Sequence, residues 1–328
     1  MIIESQFKPA WWLTNKHFQT VWQKIERHNL KCPVQTQQLE LDDGDFLEIN
    51  WTEKPQAHTE KPIVIVLHGL EGSVNSTYSK GMMNAIRKLG WTGLLIHFRS
   101  CGGKANRLPR AYHSGETGDL DFVCNWVKQH YPQAPLAAVG FSLGANVLCK
   151  YTGETEGENP FFASVAICPP LDLAASCKYI QTGSSKIYQK YLLDMLLDNL
   201  SRKLQRVNLN PYVNITPEQF HGINNLWQFD DLVTAPLHGF KNAKDYYEQS
   251  SGKQFLKQVK KPLLIIHAAD DPFLSPKRIP TRAELSDSVI FELSQKGGHV
   301  GFVSGNIPFK GEYWLESRTI DFIQSCLA

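Results

Sequence analysis

Six short, nearly unbroken apolar runs punctuate this chain, at 62–67, 92–98, 136–141, 163–168, 263–268 and 289–293. Runs of that length without polar alternation suit parallel strands covered on both faces. Amphipathic segments separate most of them, at 78–89, 119–130, 145–151 and 313–326, and their spacing predicts helices packed against a sheet. Alternating strands and helices predict a doubly wound α/β architecture, mostly parallel, with helices on both faces. Ahead of this series, residues 37–51 alternate apolar and polar side chains around Asp43-Gly44. That pattern predicts a β-hairpin with one buried face.

One stretch breaks the alternation. Residues 171–252 offer no convincing strand but carry helical patterns, above all at 187–204 with Tyr188, Leu192, Met195 and Leu200. A helical segment between two strands predicts a cap inserted over the carboxyl edge of the sheet. The expected organisation is a core made of 1–170 and 253–328, interrupted by a cap of 171–252. Tyr188, Leu192 and Met195 are expected to wall an apolar substrate cavity, or else to pin the cap to the sheet.

Composition narrows the function classes. With 34 Lys and Arg against 32 Asp and Glu, the formal net charge is +2. Basic clusters such as Arg107 with Arg110, or Arg202 with Lys203 and Arg206, are too small for a phosphate track, so no nucleic-acid partner is expected. Seven cysteines at 32, 101, 124, 149, 168, 177 and 326 form no Cys-x-x-Cys pair, and the histidines lack ligand-type spacing. Neither a metal site nor any other cofactor is expected. Buried reduced thiols, no secretion signal at the amino terminus and no long apolar span together predict a cytoplasmic location. Trp11, Trp12 and Trp22 suit peripheral contact with a membrane surface, although aromatic packing in the core is the more ordinary use of such residues.

The chemistry concentrates in three places. After the run 136–141 comes Gly140-x-Ser142-x-Gly144 and then a run of helix formers, a strand–turn–helix with serine at its apex. By itself the pattern is weak, since roughly one chain in ten of this length holds one by chance. A serine hydroxyl needs a base, and the base needs an orienting group. Beyond the run 263–268 stand Asp270 and Asp271; beyond the last run stands His299 in Gly297-Gly298-His299-Val300-Gly301. The expected roles are nucleophile for Ser142, general base and then acid for His299, and orienting carboxylate for Asp271, with Asp270 as its rival. His267 is expected to be structural; His68 and His113 are the other candidates for the base. In His68-Gly69-Leu70-Glu71-Gly72 a tight turn follows a strand, and the Leu70 N–H and the Leu143 N–H are expected to form an oxyanion hole.

At this point the chain resembles the YheT-like branch of the α/β-hydrolases. The likeness rests on Trp11-Trp12 with Asn15-Lys16-His17-Phe18-Gln19-Thr20, on 68–73, on 98–103 with 112–115, on 140–146, on Phe229-Asp230-Asp231 with Thr234-Ala235-Pro236, and on 298–302. Ser100 and Gly103 depart from the Arg-Gly-Cys-Ser-Gly form of that branch. The resemblance implies an α/β-hydrolase fold, the charge-relay set Ser142, Asp271 and His299, and hydrolysis or transfer of acyl esters with medium-chain or phospholipid acyl groups. The expected partner is thus a small-molecule or lipid-like acyl ester. A serine at 142 argues against a haloalkane dehalogenase, which would have aspartate there, and against a dienelactone-type enzyme, which would have cysteine. An acyltransferase would use the same side chains, and a noncatalytic ligand-binding protein would keep them without admitting an ester.

Overall fold

The computed structural model describes residues 1–213 and 215–327. Nine strands form one sheet: β1 (Ile2–Glu4), β2 (Gln35–Glu40), β3 (Phe46–Trp51), β4 (Ile63–Leu67), β5 (Thr92–Ile96), β6 (Leu136–Phe141), β7 (Phe161–Ile167), β8 (Leu263–Ala268) and β9 (Val289–Ser294). Their order across the sheet is β1-β9-β8-β7-β6-β4-β5-β3-β2. All neighbours from β1 to β5 in that order pair parallel, whereas β3 runs antiparallel to both β5 and β2. Each of the six apolar runs is one of the strands β4 to β9, and residues 37–51 form the β2–β3 hairpin.

Burial on both faces explains the unbroken apolar runs. In β4, Ile63, Ile65 and Leu67 pack into the layer beneath α3 (Gly118–His130) and α4 (Leu143–Glu154). Val64 and Val66 point the other way, toward α2 (Thr77–Lys88) and the C-terminal helix at Trp314–Leu327. All five β4 side chains are buried. The alternation follows from the two-residue period of a strand, each face meeting its own helical layer.

Two elements at the amino terminus lie outside the series of apolar runs. β1 is three residues long, too short to show a period, and it extends the sheet beside β9. Helix α1 (Lys16–Glu26) is capped by Asn15, whose side chain accepts from the N–H groups of His17 and Phe18. The tryptophans also divide differently from the core-packing expectation. Trp12 and Trp22 stack edge-on at 5.0 Å, but Trp11 is 67% exposed because only its Nε1 is anchored, on Asn306 O.

Between β7 and β8 the chain is helical: α5 (Leu173–Tyr179), α6 (Lys186–Leu204), α7 (Pro217–Gly222), α8 (Leu226–Phe229), α9 (Ala235–Leu237) and α10 (Ala243–Ser250). The helix at Trp314–Leu327 is then α11, and the short antiparallel pair β10 (Val303–Ser304) and β11 (Glu312–Tyr313) precedes it. The inserted helices have their own apolar cluster, with Leu193, Leu200, Leu209, Val213, Ile223, Phe229 and Val233 buried together. The segment 229–236 is their hub. Asp230 accepts from Thr234 Oγ1 and Tyr247 Oη, while Asp231 accepts from Ala243 N. Among the described residues, no helix is long and apolar enough to cross a membrane.

Fully buried Asn146 on α4 joins the insert to the core. Its Nδ2 donates to Ser114 O and Ser250 O, both at 2.8 Å, and its Oδ1 accepts from Gly252 N at 2.8 Å. Replacing Asn146 by Ala leaves three backbone groups short of a partner in a dry site. Urea denaturation should therefore show a loss of about 3 kcal/mol.

Candidate active site

β6 ends at Phe141 and α4 begins at Leu143, so Ser142 alone makes the turn. Its backbone stands at φ 50°, ψ −114°, a conformation that costs energy for a residue with a Cβ. Close packing holds it there. A Cβ at Gly140 would lie 2.5 Å from Gly144 O, and one at Gly144 would lie 2.5 Å from His68 O. Only glycine lets the strand, the helix and the neighbouring turn approach this closely.

The structure brings Ser142, His299 and Asp271 together. His299 Nε2 lies 2.9 Å from Ser142 Oγ, and His299 Nδ1 lies 2.7 Å from Asp271 Oδ2. Asp271 is 1% exposed, and its other oxygen accepts from Phe273 N at 2.7 Å, which fixes the carboxylate's orientation. Asp271 thus stands where the sequence left a choice. Asp270 turns instead to the loop bearing the histidine, accepting from Gly298 N at 3.0 Å, and burial holds its carboxyl above the ordinary carboxylate range.

That loop is held from several sides. Gly297, Gly298, Val300 and Phe302 all have positive φ, so the backbone winds tightly around His299. Thr20 Oγ1 accepts from His299 N at 2.9 Å and donates to Lys16 O at 2.8 Å. Gln23 Nε2 donates to Val300 O, and buried Gln19 bonds Val303 through both its amide atoms. Phe273 stacks on the imidazole at 4.0 Å, with the rings 10° from parallel. No motif or spacing in the sequence singles out Thr20, Gln23 or Phe273 as site residues, although Gln19 and Thr20 lie in the segment 15–20 that resembles the YheT-like branch.

The turn after β4 presents a second feature. Gly69 N donates to Tyr78 Oη at 2.9 Å and Glu71 N donates to Tyr112 Oη at 2.8 Å. The N–H groups on either side of Leu70 are therefore engaged. Those of Leu70 and of Leu143, the first residue of α4, have no acceptor among the described residues, and both residues line the cavity that contains Ser142. Glu71 is itself clamped, accepting from Tyr112 Oη and from Asn199 Nδ2 of α6. Burial pushes the Glu71 carboxyl up. His68 lies behind the turn, where burial lowers it to about 3. As a neutral imidazole it donates from Nδ1 to Gly69 O and accepts at Nε2 from Phe98 N.

The cavity above Ser142 measures about 180 Å³ and is walled mainly by apolar side chains, including Leu192, Leu196 and Leu200 of α6. Of the three cap residues expected to wall it, only Leu192 does. At 3.6 residues per turn, Leu192, Leu196, Asn199 and Lys203 recur on one stripe of α6, and Met195 falls beside it. Tyr188 lies on the stripe's extension one turn earlier, where it packs on Phe273 and meets His17. Polar groups interrupt the wall at Glu71, Lys203, Asp230, His113 and His238. Burial lowers Lys203 to about 8 and raises Asp230 to about 6, and it holds both imidazoles neutral at about 3.

Among the described residues, two clusters draw ligand-type atoms within 4.8 Å of one another: His113 with Glu116 and His238, and Cys168 with Asp271 and His299. In the first, the Glu116 carboxylate is engaged, whereas His238 Nε2 has no hydrogen-bond partner among the described residues; in the second, the carboxylate and the imidazole engage each other. Glu116 is held by Arg110 at 2.7 Å and by Gly118 N, and the second cluster contains the Asp271–His299 hydrogen bond. His267 is buried and stays outside the Ser142 hydrogen bonds.

A mostly parallel sheet with a strained serine turn at a strand's carboxyl end, facing a histidine loop from the far side of the sheet, defines the α/β-hydrolase class. The α/β-hydrolase fold family model matches residues 62–305, and the chain belongs to that family. More particularly, it belongs with YheT of Escherichia coli K12, to which it is 40% identical over 323 residues, covering 98% of this chain and 94% of that protein. Monoacylglycerol lipase ABHD2 of Homo sapiens is 24% identical over 340 residues, covering 98% of this chain and 80% of that one. The Pyrococcus furiosus esterase Pf2001 superposes with a TM-score of 0.56 at 16% identity, covering 90% of this chain and 94% of that one, a likeness of fold.

Thr20 predicts a measurable effect on turnover. Thr20→Val keeps the shape but leaves the His299 N–H without an acceptor, so kcat on an ester substrate should fall about tenfold with KM little changed. Thr20→Ser, which restores the acceptor, should recover most of the rate.

Proposed function

We propose that this protein is a serine esterase acting on medium-chain acyl esters through Ser142, His299 and Asp271. The observation that carries the reading is the imidazole of His299 bridging Ser142 Oγ and Asp271 Oδ2 at 2.9 and 2.7 Å beneath an apolar cavity. Relatives described as monoacylglycerol lipases support ester chemistry on this scaffold.

In this reading Ser142 Oγ attacks the ester carbonyl while its proton passes to His299 Nε2. Asp271 holds the proton on Nδ1, so that Nε2 is the basic nitrogen, and stabilises the imidazolium that forms. The carbonyl oxygen gains charge facing the Leu70 and Leu143 N–H groups. His299 then returns its proton to the leaving alcohol, whose C–O bond breaks to give the acyl-enzyme. Water repeats the sequence: His299 removes its proton, the hydroxide attacks the acyl carbon, and Ser142 leaves with that proton restored. The acyl chain lies along Leu192, Leu196 and Leu200.

A fluorophosphonate probe tests the nucleophile. Wild-type protein should be labelled, and Ser142→Ala should lose the label. Asp271→Asn should lower kcat by about 10⁴-fold, the scale of mispositioning the imidazole tautomer. Asp270→Asn should retain a far larger share of the rate. Labelling that survives in Ser142→Ala would refute the assignment.

The acyl wall has its own test. Leu196→Trp fills the cavity, so kcat/KM across p-nitrophenyl esters should shift toward shorter chains, whereas Met195→Trp should leave the profile in place. An identical chain-length profile in Leu196→Trp would remove the acyl chain from this wall.

A further inference from the structure

Among the described residues twelve large apolar side chains are exposed, and seven of them gather on or beside α1. Phe18 and Ile25, 59% and 57% exposed, stand two turns apart on the helix's outer face, opposite the buried amides of Gln19 and Gln23. On one flank, Trp22 and Trp12 pack against Phe309, which is itself 75% exposed, with ring centroids 6.1 and 5.7 Å away. Trp11, tied to Asn306 O, and exposed Ile307 continue that flank.

The other flank is α6. Lys24 Nζ bonds Tyr191 Oη at 2.7 Å and sits 4.4 Å from that ring's centre, and His17 stacks on Tyr188. Beyond this seam Ile187 and Tyr191, one turn apart on α6, are 73% and 48% exposed. The opposite side of α6 lines the cavity over Ser142 through Leu192 and Leu196. The apolar face is thus continuous with the outside of the cavity's wall.

Its charges are mostly basic. Lys16 and Lys24 come from α1, Lys186 from α6, and Lys310 from beside Phe309. The nearby acids are largely occupied. Glu26 is taken up by Trp22 Nε1, Tyr313 Oη and Gly311 N, and Asp194 by Lys190. Exposed aromatic and aliphatic side chains among flexible lysines suit the boundary between headgroups and acyl chains, where lysine stems lie along apolar surface and their ammonium groups meet anionic lipid.

We propose that the face centred on α1 docks this protein on an anionic lipid bilayer. Phe18, Ile25, Ile187 and Phe309 enter the boundary region and the lysines engage the headgroups, bringing α6 and the cavity beside it to the membrane. The proposal goes beyond the ester reading, since docking requires no turnover.

Co-sedimentation of the full chain with vesicles tests it. Phosphatidylcholine vesicles containing phosphatidylglycerol should pull the protein down, and phosphatidylcholine alone should do so weakly. The double variant Phe18→Glu with Phe309→Glu should bind the anionic vesicles roughly tenfold more weakly or not at all. Lys186→Glu with Lys310→Glu should weaken binding to anionic vesicles alone. Unchanged melting temperatures would show that both variants are folded, and Ser142→Ala should sediment like wild type whatever its activity. No sedimentation with anionic vesicles, or equal binding by the wild type and the Phe18/Phe309 variant, would overturn the proposal. A dimer in lipid-free buffer that Phe18→Glu dissolves would do so too, because the face would then belong to a second copy.

Discussion

Ser142 occupies a backbone conformation that its own side chain disfavours, and the surrounding architecture exists in a form that keeps it there. The hydrogen bond from Ser142 N to Ile167 O ties the turn to β7, and α4 accepts the chain directly at Leu143. At Gly140 and Gly144 the packing leaves no room for a Cβ. The strain is local, but it is sustained by a core in which β6 and β7 are almost wholly buried. A serine on a relaxed turn could fold back onto its own backbone. Here the hydroxyl is presented outward, where His299 can meet it.

The partners of Ser142 follow β8 and β9, two and three strands to one side of the central β6, and are positioned by different means. Asp271 follows β8 directly and has both oxygens engaged, so its place is set by the strand's end. His299 is on a longer, glycine-rich loop, and that loop depends on α1, an element from the far end of the chain. Thr20, Gln19 and Gln23 reach from one helix to three successive points of the loop's backbone. The amino-terminal segment is therefore part of the site's framework even though, among the described residues, the hydrogen bonds of Ser142 go to His299, Ile167 and Asn146 instead.

The inserted helices connect to this framework through α6. Asn199 clamps Glu71 beside Leu70, while Tyr188 and Tyr191 rest on α1. One helix thus contacts the turn that offers backbone donors, walls the cavity, and leans on the helix that supports the histidine loop. A displacement of α6 would reach all three at once.

Local chemistry determined much of this in the sequence alone. The apolar runs named six strands of the sheet because parallel strands covered on both faces can hold little else, and the Gly-x-Ser-x-Gly turn marked the serine because only glycines fit beside it. His299 and the adjacent pair Asp270 and Asp271 were legible as candidates from their positions just beyond strands. What the sequence left open required long-range packing. Asp270 and Asp271 are chemically alike, and only the path of the loop decides which one faces the imidazole. Thr20 is 279 positions from His299, so no local period could join them. The rotation of α6 decided that Leu192 lines the cavity while Met195 does not, because a helix pattern shows which residues share a side but not which side another layer will cover.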